Sequence, residues 1–217
     1  MPISRLFRPA LLARPACLVL GLVLAQALGA EVQAWDSDGS LVSLAAPARR
    51  LVSLSPAATE AIYAIGAGPA LVGNTSFCDY PPAAQTLPKV GGFAASTISV
   101  ERILALKPDL VVTAGAMHGV IAVALARLKI PVFVWDPGDF ASIATCMESL
   151  GTLSAHGPEA GKAAAAMLAS IESVRSRLAS VPREKRPTVF WEMYDDPLMT
   201  CGASTFPHAI IEAAGGR

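Results

Sequence analysis

From residue 50 onward, short apolar runs alternate with amphipathic stretches, and the connections between them are short. Residues 51–54, 71–74, 110–113 and 132–135 read as strands. Ser55-Pro56 opens a helix that runs through Ile65 and is stopped by Gly66 and Gly68. Serine at the N-cap with proline at the first helical position is a strong start signal. Ser99 caps a second helix, whose apolar positions Ile103, Leu104 and Leu106 end at Lys107-Pro108. Residues 120–128 and 140–153 are helical in period, whereas residues 77–92 are loop-like and rich in proline and glycine. Strand–helix–strand repetition of this kind predicts an α/β fold, a parallel sheet covered by helices on both faces.

Residues 159–181 differ. Ala160, Ala164, Met167, Leu168, Ile171, Val174 and Leu178 keep the 3.6-residue period through a single long helix, roughly 30 Å at about 1.5 Å per residue. A polar break at residues 182–187 precedes a strand at 188–193 and a helix at 206–214. The expected organisation is an N-terminal α/β lobe (31–157), an inter-lobe backbone helix (158–182) and the start of a second α/β lobe (187–217). Two Rossmann-like parallel-sheet lobes joined by one rigid helix leave a cleft between them, where small-molecule sites tend to occur.

Ahead of this lies a different segment. Arg5, Arg8 and Arg14 precede an apolar run that ends in small residues near Ala30, and no acidic residue occurs before Glu31. That is the layout of a signal peptide over residues 1–30, cleaved after Ala27, Gly29 or Ala30, with an uncleaved anchor as the alternative. Cys17 does not stand after the run, where a lipidated cysteine would be. The whole chain balances 17 basic against 17 acidic residues, and three of the arginines fall in this leader. Residues 31–217 are therefore mildly acidic, which gives no electrostatic footprint for nucleic acid. Cys78, Cys146 and Cys201 are odd in number and lack C-x-x-C spacing, so buried thiols are expected rather than a zinc site. No G-x-S-x-G, G-x-G-x-x-G or H-E-x-x-H occurs, and there are only 3 histidines. An enzyme or a transition-metal receptor is therefore disfavoured.

The stretch Arg50-Leu51-Val52-Ser53-Leu54-Ser55-Pro56-Ala57-Ala58-Thr59-Glu60 resembles the first strand and helix of the helical-backbone periplasmic binding proteins. Phe77-Cys78-Asp79-Tyr80-Pro81-Pro82, Val90-Gly91-Gly92-Phe93 and the run from Ser99 to Val112 continue the resemblance in order. Asp79-Tyr80-Pro81-Pro82 is most like the cobalamin-binding branch. The resemblance implies a non-enzymatic periplasmic receptor, with no cofactor of its own, that hands cobalamin to ABC transporter permease subunits. Haem or a ferric siderophore is the alternative ligand, and a non-binding remnant the alternative fate. In the family the second lobe continues beyond a segment like Ala214-Gly215-Gly216-Arg217 and carries a second Glu-Arg-Ile-like motif. A half-built sheet would leave strand edges unpaired, so the chain is expected to be C-terminally truncated.

The resemblance also suggests site residues. Phe77 and Phe93 stand where cobalamin-binding members have aromatic ligand contacts, and a flat macrocycle suits large rigid apolar faces. Some members have a tryptophan directly after the 110–113 strand, where this chain has Ala114. Ser55, Pro56 and Ala57 begin a helix expected to face the cleft, with a plain helix start as the equal alternative. Tyr80 is open between ligand contact and loop anchor. Met117 and His118 follow a strand at the edge where α/β proteins bind ligands. His118 is a candidate ligand to cobalt or haem iron, or a solvated loop histidine. Trp191 and Tyr194 are candidates for the opposite wall, with Tyr194 as alternative haem ligand. Glu101 either complements its helix dipole or, by resemblance, pairs with permease arginines at the tip of the lobe.

Overall fold

The computed structural model describes residues 31–217, and the leader expected over residues 1–30 lies outside them. Four parallel strands form the central sheet: β3 (Leu51–Ser53), β4 (Leu71–Asn74), β5 (Leu110–Thr113) and β6 (Val132–Val134), in the order β4-β3-β5-β6. Every residue of β3 and β5 is buried, as central strands covered on both faces require. The period of two divides them between two cores. Leu51, Leu110 and Val112 face one side with Phe133 and Trp135, while Val52 and Val111 face the other with Leu54, Ile103, Ile121 and Leu125.

The helices follow their start signals. In α1 (Pro56–Ala64) the Ser55 hydroxyl accepts from the Ala58 N–H at 3.3 Å. In α3 (Val100–Ala105) Ser99 accepts from the Arg102 N–H at 3.2 Å. A short α2 (Pro82–Gln85) interrupts the stretch expected to be loop. Gly119–Arg127 forms α4, and α5 (Phe140–Leu153) opens on a capping box between Asp139 and Ser142. Helices α1 and α5 cover the first core, α3 and α4 the second.

A hairpin of β1 (Val32–Trp35) and β2 (Leu41–Leu44) precedes the sheet; the sequence reading, which began at residue 50, did not include it. Its Asp38-Gly39 turn and alternating burial are ordinary hairpin features. The hairpin guards the β6 edge: the Ser37 N–H donates to the Val134 carbonyl, and the Val134 N–H donates to the Asp36 carboxylate. An edge strand paired in this way is closed to other chains.

The long helix α6 (Gly157–Leu178) has 22 residues, about 33 Å. Ala160 and Ala164 are buried on the first core, with Ala163 and Met167 packed beside them. Beyond that the helix leaves the core, and Leu168, expected on the apolar stripe, is exposed. The segment after it departs from a parallel-sheet start. Glu192–Asp195 (β7) pairs antiparallel with Leu198–Thr200 (β8), so the strand expected at 188–193 begins later. The Val189 N–H instead donates to the Arg217 carbonyl at 2.9 Å. Finally, α7 (Phe206–Ala213) packs back toward α6.

Candidate functional site

The carboxyl ends of parallel strands are where the chain turns outward, and side chains from several strands converge there. Ser55 follows β3, Ala114 follows β5, and Trp135 and Asp136 follow β6. Together they line a cavity of about 650 Å³. Helices α1 and α5 add Ala57, Glu60, Ile143 and Met147, α6 adds Ala163 and Met167, Tyr80 enters from the loop after β4, and Phe206 from α7. The wall therefore draws on the sheet, the long helix and the segment beyond it. It is mostly apolar and aromatic, as small-molecule sites are.

The polar lining has one sign. Glu60 and Asp136 are carboxylates, and no lysine or arginine is among the lining residues. Asp136 sits against Gly115, whose φ of +46° puts it in the left-handed region; a Cβ there would overlap the Asp136 carboxylate. Ser55 is already committed locally: its hydroxyl caps α1 and its carbonyl accepts from Ser53 and Thr59 hydroxyls.

A second group gathers beside the cavity. Phe77 and Phe93 meet edge-to-face at 6.3 Å, and Phe93 meets the His118 ring at 5.6 Å. His118 is fully buried, not solvated. Its Nδ1 accepts from the Ala114 N–H at 3.0 Å, so the proton sits on Nε2, which donates to the Phe93 carbonyl at 2.7 Å. With both nitrogens engaged, the ring has no lone pair to offer cobalt or iron. Phe77 stays 60% exposed and Tyr80 63% exposed, so these two rings present large apolar faces to solvent.

The expected residues thus fall into four groups. Ser55, Ala57 and Tyr80 lie on the cavity wall, and Pro56 between them is not part of the lining. Phe93 meets both Phe77 and His118 edge-to-face, with exposed Met117 alongside in the chain. Trp191 and Tyr194 are exposed and not part of the lining, because β7 pairs with β8 and not with the central sheet. Glu101 is exposed in the first turn of α3, its carboxyl held below the usual glutamate range by its own backbone N–H and by the Ser99 hydroxyl. Ser99 donates to it at 2.8 Å.

The sequence profile of the periplasmic binding protein family matches residues 51–217. The chain belongs to the periplasmic binding protein family. A vitamin B12-binding protein of Yersinia pestis (strain Pestoides F) is 36% identical over 180 residues, covering 82% of this chain and 62% of that protein. The chain thus spans less than two thirds of that relative's length. The periplasmic vitamin B12 binding protein BtuF of Vibrio cholerae superimposes with a TM-score of 0.68 at 32% identity, covering 79% of this chain and 66% of that one. The periplasmic haem-binding protein RhuT of Roseiflexus sp. RS-1 gives 0.65 at 26% identity, covering 77% and 64%. These are binding proteins and not enzymes, and the molecules in their names are bound ligands rather than catalytic cofactors.

Among the lining residues, the sequence reading missed Glu60, Trp135, Asp136, Met147, Met167 and Phe206 as site residues. The rule that picked His118, a place in the loop after a strand's carboxyl end, applies equally to Asp136 after β6, whereas Trp135 was read as the end of the strand itself. Nothing comparable marks Met167 or Phe206, whose contribution depends on how α6 and α7 cross the cavity.

Proposed function

We propose that this periplasmic binding protein is an extracytoplasmic receptor that captures cobalamin, or a related corrinoid, and delivers it to an ABC importer. The observation that carries the reading is the cavity at the strand ends, apolar and aromatic, with two carboxylates and no basic residue in its lining. A corrin rim is rich in amide N–H donors, which carboxylate oxygens accept well. Haem carries two carboxylates, and ferric siderophores are commonly anionic; both would meet like charge here. The committed nitrogens of His118 also remove the one histidine considered as a haem ligand.

The remaining roles complete the reading. Residues 1–30 direct export to the periplasm, residues 31–157 form the first lobe, residues 158–182 the strut, and residues from 187 onward begin the second. Glu101, exposed and ionised, pairs with arginines of the permease. Phe77, Phe93, Tyr80 and Met117 offer their apolar faces to the corrin. Trp191 and Tyr194 belong to the segment that approaches the ligand from the second lobe as the cleft closes.

Equilibrium dialysis against cyanocobalamin and, separately, against hemin tests this by visible absorbance of the protein compartment. Retention of the corrinoid spectrum and not the haem spectrum is expected; haem retained alone overturns the reading.

A further inference from the structure

The loop that carries Phe93 is anchored at its far end by Ile98 and Ala95 against the second core, and few hydrogen bonds from outside hold the stretch around Phe93 itself. It turns at Gly91, whose φ of +151° and contact with the Thr97 carbonyl leave no room for a Cβ. The Ser76 N–H donates to the Gly91 carbonyl at 2.9 Å, and Thr97 bonds within the loop to the Ala94 carbonyl. Among the described residues, His118 is the one side chain from outside that donates to the backbone of residues 91–98. It reaches across from the loop after β5, where its other nitrogen is fixed by the Ala114 N–H. The ring is fully buried and lies edge-to-face against Phe93, which in turn lies against Phe77. One imidazole therefore ties two strand-end loops together.

We propose that His118 is a positioning residue for ligand binding, fixing the Phe93 loop and through it the partly exposed Phe77–Phe93 aromatic face. It acts through Phe93 and does not touch the ligand. The assignment rests on the reading that this aromatic face meets a corrinoid, while its structural half stands apart from that reading.

Three variants and two readouts test it. His118→Phe keeps the ring contact and removes both hydrogen bonds; His118→Gln restores an N–H that reaches the Phe93 carbonyl. His118→Asn keeps the acceptor for Ala114 but falls short of Phe93. Amide hydrogen exchange over residues 91–97 is expected to quicken in the Phe and Asn variants and to stay near wild type in Gln. Cyanocobalamin affinity is expected to follow the same order, about tenfold weaker in Phe and Asn, the scale of one unpaired buried group. Should the Phe variant fail to fold, the Gln–Asn comparison alone decides. Unchanged exchange in folded Phe or Asn variants, or Gln no better than Asn, overturns the proposal. Wild-type protein that ignores cyanocobalamin overturns the corrinoid reading, and the exchange data then still decide whether His118 fixes the loop.

Discussion

The ring of Phe206 meets that of Phe140 edge-to-face, with centroids 5.3 Å apart, and Arg175 lies over Phe140 at 5.7 Å. Three residues more than 30 positions apart in the chain are joined there, from the start of α5, the outer half of α6 and the start of α7. Phe206 is also cavity wall, so the contact that docks α7 shapes the site. An aromatic pair of this kind contributes about 0.5–1.5 kcal/mol beyond its burial. Phe206→Ala is expected to weaken cyanocobalamin binding by about tenfold, measured by fluorescence or calorimetric titration. Phe140→Ala should weaken it less, because Phe140 supports the wall without lining it.

Charge in the cavity should set ligand preference. Replacing Glu60 and Asp136 together by lysine reverses the sign of the polar lining. Corrinoid affinity is then expected to fall by tenfold or more and hemin binding to appear, read by competition between the two chromophores; a few charges at short range suffice. An unchanged preference would mean these carboxylates do not face the ligand.

Glu101→Ala should leave cyanocobalamin binding intact and lower transport in cells carrying the importer. Its charge persists into acid because its own N–H and the Ser99 hydroxyl favour the ionised form. Loss of binding in the variant would instead make it a structural residue of α3.

Asp139 makes a pH-dependent contribution. Its carboxyl is held below the ordinary aspartate range, first by the Ser142 N–H and then by the Ser142 hydroxyl. A carboxylate depressed on folding stabilises the native state above its unfolded pKa, and that stability is lost as pH falls through the folded value. Asp139→Ala should therefore lower the melting midpoint by a few degrees near neutrality. The gap from wild type should close below the aspartate range, where thermal melts at a series of pH values would show it.

The cysteines give a simple accessibility test. Cys78 and Cys146 are buried and Cys201 partly exposed, all three as free thiols. Burial pushes the Cys146 thiol up, and Ser37, 3.2 Å away, only partly offsets this. Alkylation of native protein followed by mass spectrometry should mark Cys201 first, with Cys78 and Cys146 reacting only on unfolding.

The four-stranded sheet and the helices on it were legible because their signals are local. Ser55-Pro56 and Ser99 announce helices through their own hydrogen bonds, and the central strand at 110–113 opens on the apolar run Leu110-Val111-Val112 because both sheet faces are covered. The later segment was not, since a strand's partner is a long-range fact: Met193 and Tyr194 read equally well for a parallel sheet or for the β7–β8 hairpin. Site residues followed the same divide. Ser55, Ala57 and Tyr80 sit on motifs at strand ends, whereas Met167 and Phe206 enter the wall only through the packing of α6 and α7. His118 was picked out by position, but its burial and its bond to the Phe93 carbonyl, 25 residues away, have no trace in the local sequence.

The most direct test of the corrinoid reading is a calorimetric titration of cyanocobalamin into residues 31–217, with hemin titrated in parallel. Saturable binding of cyanocobalamin at micromolar concentration or tighter, with hemin giving no specific heat, is the predicted result. Flat heats with cyanocobalamin alongside a one-to-one hemin isotherm would contradict it.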